Sequence, residues 1–399
     1  MSPLSGIRVL DLSQYEAGTS CTQSLAWLGA EVIKVEPPGY GEQGRVSSRD
    51  IPGADSGYFL MLNANKQSVV LDLKTEDGKK IMAKLITESD VIVENFGPGS
   101  IERLGFGYED VAVMNPRIIY GSIKGYDPEG PYGSYLSMDP IGQAMGGSIA
   151  LTGLPDGKPL RPGPTLADTG SGLHLTIGIL AALRDRDTTG KGQKVSISMQ
   201  EAIINFTRVA YSRTLANGGA PLRRAGSALG LKSAPAGLYA CKPGGPDDYI
   251  YIYASRTPQS KHWSRILDTL GRAELKEDPR FATPELRAQN VDFIDDMISE
   301  WTGQRTKIEA LELLAGAGVP AGAVMNPSEL AEDPHLNANG TFVTVSRPER
   351  GEFKMPGWPV KMSNWTPTIV AAPTLGADTR QVLSTVAGLT DDELDELGV

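Results

Sequence analysis

Short runs rich in Val, Ile and Leu alternate with amphipathic stretches through the first 200 residues of the chain. Residues 7–12, 31–36, 68–73, 91–94 and 118–123 are apolar and β-branched at the length of strands. Between them, residues 21–29 and 75–88 carry helical spacing, the second with Ile81, Met82, Leu85 and Ile86 on one face. Such alternation predicts βαβ units, and hence a doubly wound α/β sheet of parallel strands. Further helical patterns cover residues 141–149, 169–183 and 199–215, after which a glycine-rich stretch, 217–237, breaks the period. Beyond it the Tyr249-Ile-Tyr-Ile-Tyr253 run predicts an antiparallel strand, with helices near 262–270 and 307–316. The expected division is a large Rossmann-like domain over 1–200, a linker at 201–225 and a smaller α+β domain over 226–325. Residues 326–399, ending in an acidic helical pattern, are expected to return and complete the large domain.

A chain of 399 residues fits roughly two domains, and 46 Gly, 28 Pro and 22% charged residues are the composition of a loop-rich α/β enzyme. The formal net charge of −10 argues against a general binder of nucleic acid or of an anionic membrane, since both need a basic face. Cys21 and Cys241 are the only cysteines and lack metal-ligand spacing, which fits a reducing cytoplasm. No charged leader with an apolar stretch opens the sequence, and no uninterrupted apolar run of 18 residues occurs, so a cytoplasmic location is expected. The Gly-x-Gly-x-x-Gly, Gly-x-x-x-x-Gly-Lys-Ser/Thr and Gly-x-Ser-x-Gly signatures are all missing, which removes support from hydride-transfer, NTPase and serine-hydrolase chemistry. His174, His262 and His335 form no metal pair, and no metal site is expected.

The candidate chemistry centres on Asp168, a single carboxylate at the mouth of the apolar run 169–183 with small residues on both sides. The spacing places it at or near a helix N-cap. There, backbone N–H groups and the helix dipole favour the ionised form by a few tenths to about 1 kcal/mol. That placement suggests a carboxylate nucleophile; an ordinary capping aspartate is the plain alternative. Two loops that follow strands, Glu36-Pro-Pro-Gly-Tyr-Gly41 and Glu94-Asn-Phe-Gly-Pro-Gly99, stand where doubly wound sheets bind ligands. The second, with an amide, an aromatic ring and two glycines, suits a planar polar group such as adenine. Arg45, Arg49, Lys66, Lys74, Arg103 and Lys124 are the cations in the same half that are candidates for phosphate contacts.

Taken together, several ordered segments carry a resemblance: Leu4-Ser-Gly-Ile-Arg-Val-Leu-Asp-Leu12, Ala17-Gly-Thr19, Leu28-Gly-Ala-Glu-Val-Ile-Lys-Val-Glu-Pro-Pro-Gly39, Val70-Leu-Asp-Leu-Lys74, Val91-Ile-Val-Glu-Asn-Phe-Gly-Pro-Gly99, Leu166-Ala-Asp-Thr-Gly-Ser-Gly172, Thr189-Gly-Lys-Gly-Gln-Lys-Val195 and Leu375-Gly-Ala-Asp-Thr379. The chain resembles the class III coenzyme A transferases, the family that includes formyl-CoA:oxalate CoA-transferase. The resemblance implies a Rossmann-like large domain built from both chain ends, a smaller domain between, and an interlinked, ring-like homodimer. A hetero-oligomer with a related chain is the other assembly it allows. Asp168 matches the family's nucleophile. Glu16, Ala17, Leu71, Asp72, Leu73, Lys74, Asn95, Phe96, Gly97 and Arg103 match positions that contact coenzyme A. Acyl-CoA and a free carboxylic acid are the implied substrates, and no permanently bound cofactor is implied.

Departures bear on specificity. Relative to the formyl-CoA-using members, Pro37 replaces an arginine near the nucleotide and Glu16 replaces a glutamine near the nucleophile. Ala225-Gly-Ser-Ala-Leu-Gly-Leu-Lys232 stands where those members have a tetraglycine loop. Leu229 and Leu231 suit a larger or more apolar acid, and Glu16 is expected to disfavour a compact dianion such as oxalate. The implied route is an aspartyl anhydride followed by an aspartyl-CoA thioester, with succinyl-CoA as a donor. Backbone N–H groups of 170–172 or of 227–232 are the candidate oxyanion donors. Acyl-CoA racemases share the fold, but the Gly-His-Asp segment that supplies their second base reads Ser137-Met138-Asp139 here, and methionine exchanges no proton. A non-catalytic CoA-binding subunit is the third alternative, against which the presence of Asp168 speaks.

Overall fold

The computed structural model describes residues 2–154, 157–212, 215, 234–254, 257 and 260–398. Six short strands form one sheet: β1 (Arg8–Asp11), β2 (Glu31–Glu36), β3 (Gln67–Val70), β4 (Val91–Glu94), β5 (Ile119–Lys124) and β6 (Gln193–Ser198). Their order is β3-β2-β1-β4-β5-β6, and every neighbouring pair is parallel. Five of the six coincide with the apolar runs in the sequence. β6 is an addition, because its Gln-Lys-Val-Ser-Ile-Ser alternates exposed and half-buried positions, the pattern of an edge strand. At the other edge, the N–H groups of Ser68 and Val70 in β3 donate to Asp378 (2.8 Å) and Thr379 (3.1 Å) of the returning chain.

Nine helices occupy the described part of the first 207 residues: α1 (Ala17–Trp27), α2 (Gly57–Leu62), α3 (Glu76–Thr87), α4 (Ser100–Arg103), α5 (Tyr108–Met114), α6 (Asp139–Met145), α7 (Ser148–Leu151), α8 (Leu166–Thr189) and α9 (Met199–Thr207). Successive strand residues point to opposite faces, so the strands feed two cores. Leu10, Ile33, Val69 and Ile92 pack with Ile81, Met82, Leu85 and Ile86 of α3. Val9, Val32, Val91 and Ile119 pack with Cys21 and Leu25 of α1, Leu175 and Ile179 of α8 and Ile203 of α9. Each buried aliphatic side chain contributes about 1.5–3 kcal/mol, so both helical layers are firmly held.

Helix α8 is longer than its apolar run, starting three residues before 169 and ending at Gly190, whose φ of 73° closes the C-terminus. Among the described residues it alone is long and apolar enough by composition to match a membrane span, a match that a count of uninterrupted apolar residues misses. Half of that window is buried against the protein, as in a core helix. Its close approach to α1 depends on Gly172, where an added Cβ would stand 2.5 Å from the Ala17 carbonyl oxygen. Gly172→Ala is therefore expected to force the two helices apart and to cost about 1–3 kcal/mol, measured by urea unfolding.

The chain divides into two units, 1–149 with 161–207 and 337–399, and 150–160 with 208–336. Residues 150–160 and 326–336 thus group with the second unit. That unit holds an antiparallel sheet of β7 (Ala236–Ala240), β8 (Tyr249–Tyr253) and β9 (Ala321–Ala323), as the Tyr-Ile-Tyr-Ile-Tyr run predicts for β8. It has its own core around Ile250, Ile252, Trp263, Ile298 and Leu314. In the first unit the returning chain forms a hairpin, β10 (Phe342–Arg347) with β11 (Gly351–Pro356), before the helix Thr379–Thr385.

Candidate active site

Three strands end on a buried carboxylate: Asp11 in β1, Glu36 in β2 and Glu94 in β4. Each turns back its own loop by accepting a backbone N–H, from Ser13 (2.9 Å), Glu42 (3.0 Å) and Phe96 (2.9 Å) respectively. Each is matched by a cation: Lys66 on Asp11 (2.8 Å), Arg45 on Glu36 (2.6 Å) and Lys124 on Glu94 (2.7 Å). Burial opposes the Asp11 charge, but Lys34 and Lys66 outweigh it and hold the carboxyl well below the usual range. Burial in turn draws the Lys66 ammonium down to about 8, against the pull of Asp11. Lys66 and Arg45 are thus internal ion pairs rather than phosphate ligands, because each is almost fully buried with its donors on internal acceptors: Asp11, the Asn63 amide and the Thr19 carbonyl for Lys66, Glu36 and Asp55 for Arg45. Sequence alone does not reveal this, since the partners lie 55 and 9 residues away. Lys124, half-buried, holds Glu94 and the Phe96 carbonyl; Arg49 and Lys74 are exposed.

These fixed strand ends support the loop between β1 and α1. Asn95 clamps it: its Oδ1 accepts the Gln14 N–H and its Nδ2 donates to the Gln14 carbonyl, both at 2.8 Å. The clamp joins the loops after β1 and β4, the two strands between which the order of the sheet reverses and where ligands of such sheets bind. Tyr15 follows at a φ of 56°, a left-handed conformation held by its N–H on Glu42 (3.1 Å). The next residue, Glu16, is buried at the start of α1, whose N-terminus has no side-chain cap.

The start of α8 meets this loop. Thr165 and Thr169 both donate their hydroxyls to Glu16 Oε1, the latter at 2.6 Å, and Tyr58 of α2 donates to Oε2 at 3.5 Å. Asp168 lies between those two threonines as the third residue of α8. It caps nothing, contrary to the N-cap expectation. The N–H groups of Ala167 (2.9 Å) and Asp168 (3.4 Å) instead donate to Oδ1 of Asp139, whose Oδ2 accepts from Gln143 Nε2 (2.7 Å). Asp139 thus supplies the cap from another helix. Among the described residues nothing donates a hydrogen bond to the Asp168 carboxylate. Burial, with Glu16 and Asp139 alongside, pushes Asp168 up to about 7, reversing the expected stabilisation of its charge by the helix start. The same surroundings, burial first and then Glu16 and Asp168, push the Tyr58 hydroxyl well above its usual range.

This geometry bears on the oxyanion donors expected from sequence. Residues 170–172 lie within α8, so their N–H groups bond back to the preceding turn and cannot face a substrate. The alternative, 227–232, lies outside the described residues, as does the rest of the 225–232 loop with Leu229 and Leu231. Removing the cap should loosen Asp168: Asp139→Ala is expected to cost about 1–2 kcal/mol of stability by denaturant unfolding and to slow turnover with it.

Of the remaining residues matched to coenzyme A contacts, Ala17 is buried, with its carbonyl facing Gly172, one turn beyond Asp168 on α8. Leu71, Asp72, Leu73 and Lys74 follow the carboxyl end of β3, where Asp72 accepts the Lys74 N–H (3.0 Å) and Lys74 is exposed. Phe96, half-buried, Gly97, exposed, and Arg103, exposed with its guanidinium on Ser100 (2.9 Å), follow β4. All of these share the carboxyl edge of the sheet, and Glu16 is the one brought against Asp168. Tyr58, Thr165 and Thr169 were not legible as site residues, and Asp139 entered only as the aspartate of the segment matching the racemases' Gly-His-Asp. No motif marks a lone tyrosine in α2, and the threonines are unremarkable until Glu16 is placed opposite them.

Six parallel strands with ligand-type loops gathered at the switch point make a Rossmann-like α/β protein. The chain belongs to CoA-transferase family III, whose model matches residues 4–379. It is 43% identical over 403 residues to the formyl-CoA:oxalate CoA-transferase of Streptomyces coelicolor, covering 98% of this chain and 97% of that one. It is 40% identical to the enzyme of that name from Rhodopseudomonas palustris BisB18, covering 99% and 95%. Among solved structures, a CAIB/BAIF family protein from Brucella suis superposes with a TM-score of 0.86 at 30% identity, covering 96% of this chain and 99% of that one. Rv3272 from Mycobacterium tuberculosis does so at 0.80 and 31%, covering 95% and 98%. The chain is accordingly a coenzyme A transferase, and acyl-CoA and organic acid substrates fit its family.

Proposed function

We propose that the chain moves coenzyme A from an acyl-CoA thioester to a free carboxylic acid through covalent intermediates on Asp168. The observation that carries this is a carboxylate free of hydrogen-bond donors among the described residues, pushed up to about 7 by burial, Glu16 and Asp139. At neutral pH about half of it is ionised, and its raised basicity strengthens it as a nucleophile. Asp168 attacks the thioester carbonyl, a C–O bond forms, the C–S bond breaks, and CoA leaves as the thiolate. That step moves the negative charge from Asp168 onto the CoA sulfur, so the repulsion that Glu16 and Asp139 exert on the Asp168 carboxylate is relieved as the mixed anhydride forms. The thiolate then attacks the aspartyl carbonyl and releases the donor acid, leaving an aspartyl-CoA thioester. An acceptor carboxylate repeats the two steps in reverse order.

Supporting the CoA half of this route, Glu16, Ala17, Leu71 to Lys74, Asn95, Phe96, Gly97 and Arg103 all stand at the carboxyl edge where such ligands bind. Succinyl-CoA is the first donor to test. An interlinked homodimer working in the cytoplasm completes the proposal. The racemase alternative lacks its second base, since Met138 precedes Asp139 and His174 is held by Gly170 and Asn205 on α8 and α9. The test is incubation with succinyl-CoA, formyl-CoA and acetyl-CoA, a hydroxylamine quench, and mass spectrometry of the Asp168 peptide. A hydroxamate at Asp168 is expected; turnover with an unmodified Asp168 would overturn the mechanism.

A further inference from the structure

If Asp168 carries the covalent intermediates, the premise on which this inference rests, its surroundings also constrain the acceptor. Glu16 is 7% exposed, and its Oε1 is fixed by two hydroxyls that flank the nucleophile, those of Thr165 and Thr169. Its Oε2 has the Tyr58 hydroxyl at a long 3.5 Å. Asp139, 5% exposed, also acts on Asp168, with its oxygens on the start of α8 and on Gln143. Among the described residues neither carboxylate has a cation as partner, unlike Asp11, Glu36 and Glu94 below them. When Asp168 is acylated its own charge is gone, but the carboxylates of Glu16 and Asp139 remain in place.

An acceptor with one carboxylate puts its charge into the new C–O bond as it attacks the aspartyl-CoA carbonyl and expels the CoA thiolate. An α-dicarboxylate carries a second negative charge one bond from the reacting carbon, and that charge is not consumed. We propose that Glu16, fixed by Thr165 and Thr169, is a specificity-determining residue that selects monocarboxylate acceptors over compact α-dicarboxylates. A dicarboxylate whose second charge is separated by methylenes, such as succinate, falls outside this exclusion. At separations of a few ångström in a partly desolvated site, the repulsion amounts to roughly ten- to a hundredfold in rate.

The discriminating pair of acceptors is oxalate and oxamate, alike in size and differing by one charge. With any donor among succinyl-, formyl- and acetyl-CoA, the new acyl-CoA is quantified by chromatography and kcat/KM is compared between the two acids. Wild type is expected to favour oxamate at least about tenfold. Glu16→Gln, isosteric and neutral, is expected to bring the ratio to within about threefold, and Glu16→Asp to retain the preference. The ratio is read within one preparation, so it does not depend on how much of a variant folds, and the wild-type ratio needs no variant at all. Equal use of oxalate and oxamate by wild type, or a ratio unchanged in Glu16→Gln, would overturn the assignment while leaving the aspartyl route intact. Absence of transfer to either acid together with no hydroxamate on Asp168 would instead overturn both.

Discussion

Asp168→Asn is expected to lower CoA transfer by at least about 10⁴-fold and to make the folded protein more stable. The loss follows because the amide cannot form the anhydride, and no other carboxylate can take over: Glu16 is bound by Thr165 and Thr169, and Asp139 by the start of α8. The gain in stability follows from the raised pKa. An aspartate at 3.8 unfolded and about 7 folded contributes most to stability below pH 4, when it is protonated in both states. Its contribution falls as the pH rises through about 7, where only the folded state resists the charge. Asparagine removes that penalty, so thermal unfolding at pH 8 should show a variant stabilised by roughly 2 kcal/mol. A fall in both activity and stability would indicate that Asp168 holds the fold rather than the reaction.

The second large effect is on pH dependence. In the free enzyme, kcat/KM for the donor half-reaction should rise about tenfold per unit below pH 7 and level off above it, as Asp168 ionises. Burial sets this inflection first, then Glu16 at the start of α1 and Asp139 of α6, with the Tyr58 hydroxyl from α2 facing Glu16 and Asp168. Both charges are negative, so neutralising one lowers the Asp168 pKa. Glu16→Gln is expected to move the inflection to lower pH by about one unit, read from initial rates at subsaturating donor across pH 5–9. An inflection that stays in place would show that Glu16 does not act on Asp168 through its charge.

Much of the sheet and the position of Asp168 at the head of a helix are legible in the residues themselves. The inner strands are mostly apolar runs because both their faces are covered, and Asp168 stands out as a carboxylate at the head of the longest helix among the described residues. What the sequence hides is whatever depends on partners far along the chain. The polar edge strand β6 is one example. Lys66 and Arg45 look like phosphate ligands until Asp11 and Glu36 are found beneath them, and Asp168 looks like a cap until Asp139 is found, 29 residues away, already bound to the helix start. That last difference changes the chemistry. A capping aspartate is stabilised as an anion, whereas burial and the like charges of Glu16 and Asp139 disfavour the Asp168 anion, a penalty that the proposed acylation would relieve.

The central claim, that the acceptor acid becomes joined to Asp168, is tested most directly by isotope transfer. An acceptor carboxylate labelled with ¹⁸O at both oxygens loses one oxygen to the enzyme if it passes through the aspartyl anhydride, because CoA thiolate attacks the acceptor carbonyl and the bridging oxygen stays on Asp168. After turnover with unlabelled donor, mass spectrometry of the Asp168 peptide should find the label in that side chain. Turnover that leaves Asp168 unlabelled would contradict the account and require direct transfer between the two substrates.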